Sequence, residues 1–288
     1  MNAKVLMVQG TSSGAGKSTI VIALCRIFSN LGYKVSPFKA QNMSSKIHNI
    51  SNVHKISKIQ AIQAFAARKE PEWRINPILL VPLGNTKSNI FVAGKFLEEM
   101  SALKYYNEFV LVKGFPIVLD ALNTLRNEND IVIIEGAGSP AEINIAKYDI
   151  ANMLLAEKVN CPVILVSDIE RGGCFASIFG TIKLLKIKHQ RLIKGFIINK
   201  FRGDENILEY AIQFIERRTK LNNLGIIPKF EFFLPPEDSL DGTNNNLINL
   251  KKFSSKRKLN GQIDLLAATI GNRINIEFIL KQVLKIEQ

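Results

Sequence analysis

The sequence predicts an α/β fold, a mostly parallel sheet with helices on both faces. Three observations carry that prediction. Short apolar runs alternate with helical patterns along the chain, the order that strand–helix–strand units produce. Several of these runs are uninterrupted rather than alternating, as expected of strands covered on both faces. The first run, Val5-Leu6-Met7-Val8, leads into Gly10-Thr11-Ser12-Ser13-Gly14-Ala15-Gly16-Lys17-Ser18-Thr19 and then into the amphipathic stretch Ile20 to Leu31. A strand, a glycine-rich turn and a helix start in that order form a phosphate cradle, which narrows the class to the P-loop NTPase type.

In chain order, Val5–Gln9 is the first strand and Lys17–Leu31 the helix launched by the glycine turn. Lys34–Phe38 is a second strand, followed by a helical pattern over Ile56–Arg68. Between Asn76 and Lys95, two extended segments are joined by a turn at Gly84-Asn85. Helices at Pro116–Asn127, Ile150–Lys158, Phe175–Leu185 and Ile207–Lys220 then alternate with strands at Ile131–Ile134, Pro162–Val166, Gly195–Asn199 and Leu224–Ile227. From Asp241 to Lys258 the sequence turns polar, with Asn244-Asn245-Asn246 and the basic cluster Lys256-Arg257-Lys258. This divides the chain into one domain over residues 1–240 and a linker and tail over residues 241–288, the tail being too short for a core of its own.

A chain of 288 residues with 47% hydrophobic content can bury a core of enzyme size. No run approaches the roughly 18 apolar residues of a membrane span, and Met1-Asn2-Ala3-Lys4 leads straight into the first strand. A cytoplasmic location without a membrane partner is the expectation. The three cysteines, Cys25, Cys161 and Cys174, are widely spaced with no C-x-x-C pair, so they read as buried spectators rather than as a disulfide or zinc framework. The formal charge of +13 comes from scattered lysines in a chain also rich in isoleucine and asparagine, and no nucleic-acid partner is expected from it.

The glycine-rich loop assigns Ser13, Gly14, Ala15, Gly16, Lys17, Ser18 and Thr19 to nucleotide binding. Glycines let backbone N–H groups approach the phosphates, Lys17 reaches the β/γ oxygens, and the Ser18 hydroxyl is placed for Mg²⁺. The usual spacing wants glycine where Thr11 stands, and Ser12 occupies the place of the second lysine found in septum-site and partition ATPases, which argues against that subclass. The run Ile131-Val132-Ile133-Ile134 ends in Glu135-Gly136, and an acid at a strand tip beside the P-loop strand reaches the metal.

Six segments resemble the cobyric acid synthase family, ATP-dependent amidoligases of cobalamin biosynthesis in the dethiobiotin-synthetase-like P-loop group. They are Lys39-Ala-Gln41-Asn42-Met-Ser44, Glu135 through Glu142-Ile-Asn144, Asp149-Ile-Ala-Asn152-Met153, Asp168-Ile-Glu-Arg171-Gly-Gly-Cys174, Gly195 through Asn199 to Asp204, and Leu234-Pro-Pro-Glu-Asp-Ser-Leu240. The resemblance implies amidation of the b, d, e and g carboxylates of adenosylcobyrinic acid a,c-diamide, with ATP and Mg²⁺ as cofactors. A carboxylate is a poor electrophile, so it is activated as an acyl phosphate before ammonia attacks. The resemblance gives catalytic roles to Lys17, Lys39 and Glu135, adenine reading to Asn199, and metal binding to Ser18 and Glu135. It gives contact with a corrinoid substrate to Lys39, Gln41, Asn42, Ser44, Glu142, Asn144, Asp168 and Arg171.

The chain departs from that family in two ways. The Gly-x-Cys-x-Gly elbow and His-x-Glu pair of a class I glutaminase do not occur in these residues, so ammonia is expected from a separate glutaminase subunit or from free ammonium. On this reading, Gln262 to Phe278 is a remnant of the linker and first strand of such a domain, and His48, His54 and His189 are surface or loop residues. Secondly, Asn52 and Lys55 replace an acidic segment, and Val81 and Asn85 replace a lysine and an aspartate. Two other readings stay open: a cobyrinic acid a,c-diamide synthase-like amidoligase, and a P-loop ATPase switch without ligase activity. The sequence leaves homo-oligomerisation undecided.

Overall fold

The computed structural model describes residues 2–232 and 256–286; the segment 234–240 and the polar stretch up to residue 255 lie outside the described residues. The strands run β1 (Lys4–Gly10), β2 (Val35–Phe38), β3 (Gln41–Met43), β4 (Ile47–Asn49), β5 (Lys55–Ser57), β6 (Ile78–Gly84), β7 (Lys87–Val92), β8 (Lys95–Ser101), β9 (Ile131–Glu135), β10 (Val163–Asp168), β11 (Ile193–Phe201) and β12 (Asn222–Pro228). The main sheet has the order β12-β11-β10-β1-β9-β2, and every neighbouring pair in it is parallel. This is the expected doubly covered sheet, with the P-loop strand inside it.

Successive residues of a strand face opposite sides, so one buried strand feeds two cores. Leu6, Val8, Ile131, Ile133, Ile164, Val166 and Ile197 pack with helix α1 (Lys17–Asn30), helix α2 (Lys58–Ala66) and the C-terminal helix. Val5, Met7, Val132, Ile134, Val163, Leu165, Phe196 and Ile198 pack on the other face, under helices α3 (Phe115–Glu128), α4 (Met153–Lys158) and α5 (Cys174–Leu184). Helix α6 (Glu209–Thr219) lies beside α5 and ends in the left-handed Lys220. Helix α7 (Lys256–Gly271) buries Ile263, Leu266 and Ile270 against the α1 face. The chain then bridges Ile274 to Gly225, where Asn275 N–H donates to Leu224 O at 2.8 Å.

Residues 256–286, grouped in the sequence with linker and tail, thus complete one of the two cores. Gln262 to Gly271 is helical, not a strand. Other elements differ by a few residues from their expected bounds. The helix expected from Ile56 starts at Lys58, because residues 55–57 pair antiparallel with residues 47–49. The helix expected from Ile150 starts at Met153, because Asn152 N–H donates to Asp149 Oδ1 and fixes a turn there.

A second sheet lies beside the first, in the order β3-β6-β7-β8. Its β6–β7 hairpin is the pair of extended segments expected around Gly84-Asn85, and Gly84, Asn85 and Thr86 all have positive φ (91°, 48° and 60°). An asparagine fits that turn as well as an aspartate would, since both tolerate the left-handed region. Strand β8 and the π-helical stretch Tyr105–Gly114 have no counterpart in the sequence reading. His189 is buried, with Nε2 2.8 Å from Glu157 Oε2, rather than on the surface. All three cysteines are free thiols and buried, as expected.

Candidate active site

The carboxyl ends of the parallel strands bring the chemistry together, as open α/β sheets do. The register sets Val8 beside Glu135, Gly10 beside Val166 and Asp168 beside Asn199, and it pairs Phe38 with Ile134, so Lys39 emerges next to Glu135. The P-loop turns over this edge. Gly16, with φ 103°, starts α1 without a side-chain cap of its own. A Cβ at Gly16 would lie 2.0 Å from Asn199 Nδ2, so only glycine fits. Thr11, the departure from the usual spacing, ties the loop to β10: its Oγ1 lies 3.0 Å from Ser167 Oγ and its N–H donates to Val166 O.

Lys17 is buried in the loop, donating through Nζ to Ser12 O and Gly138 O, each at 3.0 Å. Glu135 is fully buried and accepts on both oxygens. Its Oε1 accepts from Ser18 Oγ at 2.9 Å and from Lys39 Nζ at 2.7 Å, and its Oε2 accepts from Gln63 Nε2. Asn76 braces Lys39 from behind by donating through Nδ2 to the Lys39 carbonyl and to Ile78 O. The residues fit Mg²⁺. Ser18 Oγ and Glu135 Oε1 are hard oxygen donors whose 2.9 Å separation matches the edge of an octahedron with metal–oxygen bonds of about 2.1 Å.

On the strand leading away from Lys39, Gln41 Oε1 accepts from Tyr105 Oη at 2.6 Å, Asn42 Nδ2 donates to Gln60 Oε1 at 2.7 Å, and Ser44 is buried with Oγ accepting from Lys46 N–H. Asp168, assigned to the substrate, accepts from Lys200 Nζ at 2.8 Å, and the same ammonium donates to Gly14 O. Asn199 Nδ2 donates to Ala15 O at 2.8 Å, so its amino group holds the loop. Glu142, Asn144 and Arg171 are exposed.

Four contributors escaped the sequence reading: Gln60, Gln63, Asn152 and Lys200. Asn152 clamps the turn after Glu135, with Oδ1 accepting from Ala137 N–H and Nδ2 donating to Ala137 O. Its own turn rests on Asp149, whose carboxyl is raised to about 6, mainly by burial and in spite of the N–H groups it accepts. Both residues lie in a segment quoted for the family resemblance, which was the available signal.

Residues 6–234 match the family model described as the CobQ/CobB/MinD/ParA nucleotide binding domain. The probable cobyric acid synthase of Thermococcus kodakarensis is 51% identical over 240 residues, which covers 82% of this chain and 49% of the relative. The cobyric acid synthase of Desulfitobacterium hafniense is 47% identical over 236 residues, covering 82% of this chain and 46% of the relative. The chain spans about half the length of the curated relatives it matches. Among solved structures, the signal recognition particle receptor FtsY of Elizabethkingia anophelis with GDP is 15% identical, with a TM-score of 0.48, over 78% of this chain and 57% of that one. The chain belongs to the CobQ/CobB/MinD/ParA nucleotide-binding domain family.

Proposed function

We propose that this chain carries the ATP-dependent step of corrin amidation, in which side-chain carboxylates of adenosylcobyrinic acid a,c-diamide become amides. The observation that carries the reading is the buried Ser18–Glu135–Lys39 cluster at the head of the strand bearing Gln41 and Asn42. The P-loop with Lys17 holds the triphosphate, and Lys39 offers its ammonium where the γ-phosphate and an acceptor carboxylate meet. Mg²⁺, held by Ser18 and Glu135, would spread charge between those two anions. The acceptor oxygen attacks the γ-phosphorus and ADP leaves; ammonia then attacks the acyl carbon and phosphate leaves.

Asn199 and Lys200 hold the loop from the side of β11, the side given to the adenine. Ammonia comes from a separate glutaminase or from ammonium. Burial raises the thiol of Cys174, which disfavours the thiolate a glutaminase needs.

Glu135→Gln keeps shape and removes charge. It is expected to lower acceptor-dependent ADP release by roughly two orders of magnitude or more, the equivalent of about 3 kcal/mol. ATP hydrolysis by the parent that proceeds equally with and without the corrin diamide would replace this reading with that of an ATPase switch.

A further inference from the structure

Of the two Glu135 oxygens, Oε1 meets Ser18 and Lys39, whereas Oε2 faces α2. Oε2 accepts from Gln63 Nε2. A carboxylate only accepts, so Gln63 presents its amino group to Glu135 and its carbonyl to the far side. That carbonyl lies 3.5 Å from Gln60 Nε2, and Gln60 Oε1 accepts from Asn42 Nδ2 at 2.7 Å. Three amides thus aim their donors in one direction, from β3 to the carboxylate. Gln60, Gln63 and Glu135 have no exposed surface and Asn42 is 4% exposed. Their neighbours on α2, Ile59, Ala61, Ile62 and Ala64, are apolar and buried. Burying an amide costs about 1–3 kcal/mol unless its bonds are made, and aliphatic side chains would pack this helix without that cost. Packing alone therefore does not account for two glutamines on this buried helix, three residues apart.

We propose that Gln63 is a positioning residue for the metal–nucleotide site: it holds Glu135 Oε2 so that Oε1 stays on Ser18, and through Gln60 it couples this carboxylate to Asn42 on the acceptor strand. The inference rests on reading Ser18 and Glu135 as the magnesium pair. Coupling of this kind is reciprocal, so an acceptor seated at Asn42 changes the magnesium requirement and magnesium changes acceptor affinity.

Binding of a fluorescent ATP analogue to the full chain, titrated with Mg²⁺, tests the proposal without turnover. Gln63→Met replaces the amide with an apolar chain of similar length. The Mg²⁺ concentration for half-saturation is expected to rise about tenfold, as for loss of a partner behind a metal ligand, with binding in the absence of Mg²⁺ unchanged. Gln63→Asn, which withdraws the amide by one methylene, gives the same shift if the Met variant does not fold. Gln60→Met breaks only the outer link: the magnesium requirement stays within about twofold of the parent, while its response to added corrin diamide is lost. A folded Gln63 variant with the parental magnesium requirement overturns the proposal. Glu135→Gln with an unchanged requirement would instead mean that the magnesium pair itself is misassigned.

Discussion

Among single residues, the Lys17, Ser18, Lys39 and Glu135 cluster is built from buried groups. The Lys39–Glu135 pair is buried on both sides, so removing either partner strands a charge, whereas the exposed Lys87–Glu99 and Lys281–Glu277 pairs contribute little. Asp149 shows the cost of such burial directly. Its carboxyl holds a proton up to about pH 6, against 3.8 for the free side chain. The folded state therefore binds more protons than the unfolded state in that window, and stability falls as pH rises from about 4 to about 6, by up to about 3 kcal/mol. Asp149→Asn keeps an acceptor for the Asn152 N–H and removes the titration. Denaturant unfolding at several pH values should show the stability gap between variant and parent widening across that window and then levelling off. A gap that stays constant with pH would mean that Asp149 does not titrate there.

At the scale of elements, the main sheet was legible because its strands are uninterrupted apolar runs, and the P-loop because its glycines serve a backbone conformation that few other residues adopt. Strand β8 was not legible. Its residues Lys95-Phe-Leu-Glu-Glu-Met-Ser101 are mostly exposed, and only the antiparallel pairing with β7 makes them a strand. Helix α7 falls in the segment grouped as linker and tail because it opens on the basic cluster Lys256-Arg257-Lys258, although Ile263, Leu266 and Ile270 already fall on one helical face. Gln60 and Gln63 were hidden for the opposite reason: glutamines on an amphipathic helix read as a solvent face, and only the tertiary arrangement turns them inward. The weight carried by α7 can be measured. Leu266 has no exposed surface, and Leu266→Ala is expected to destabilise the protein by about 2–5 kcal/mol, read as a lower denaturant midpoint with an unchanged slope. A loss below about 0.5 kcal/mol would show that α7 does not belong to the cooperative core.

The two cores share the central sheet as a common wall, and the candidate chemistry gathers at its carboxyl edge, with Gln41 and Asn42 added from β3 of the second sheet. No histidine stands with any of the three buried cysteines in the sequence contexts a glutaminase requires. The purified 288-residue chain, given ATP, Mg²⁺ and the corrin diamide, is therefore expected to form amides from ammonium salts and not from glutamine. The ammonium-dependent rate should rise with pH as the free amine fraction grows, and Cys174→Ala should leave it unchanged. Amide formation from glutamine that is lost in Cys174→Ala would reverse this assignment.

The rim opposite the P-loop has a practical consequence. Asn2, Ala3 and Lys4 line a cavity together with Gln282, Val283, Leu284 and Lys285, so the first and last described segments meet at one place. The seven residues of β1 separate that rim from Gly10, a span of about 20 Å at the usual rise per strand residue. Immobilising the protein on a solid support through Lys4 or Lys285 would present the nucleotide edge outward, and the two orientations would be interchangeable for surface-based ligand sensing.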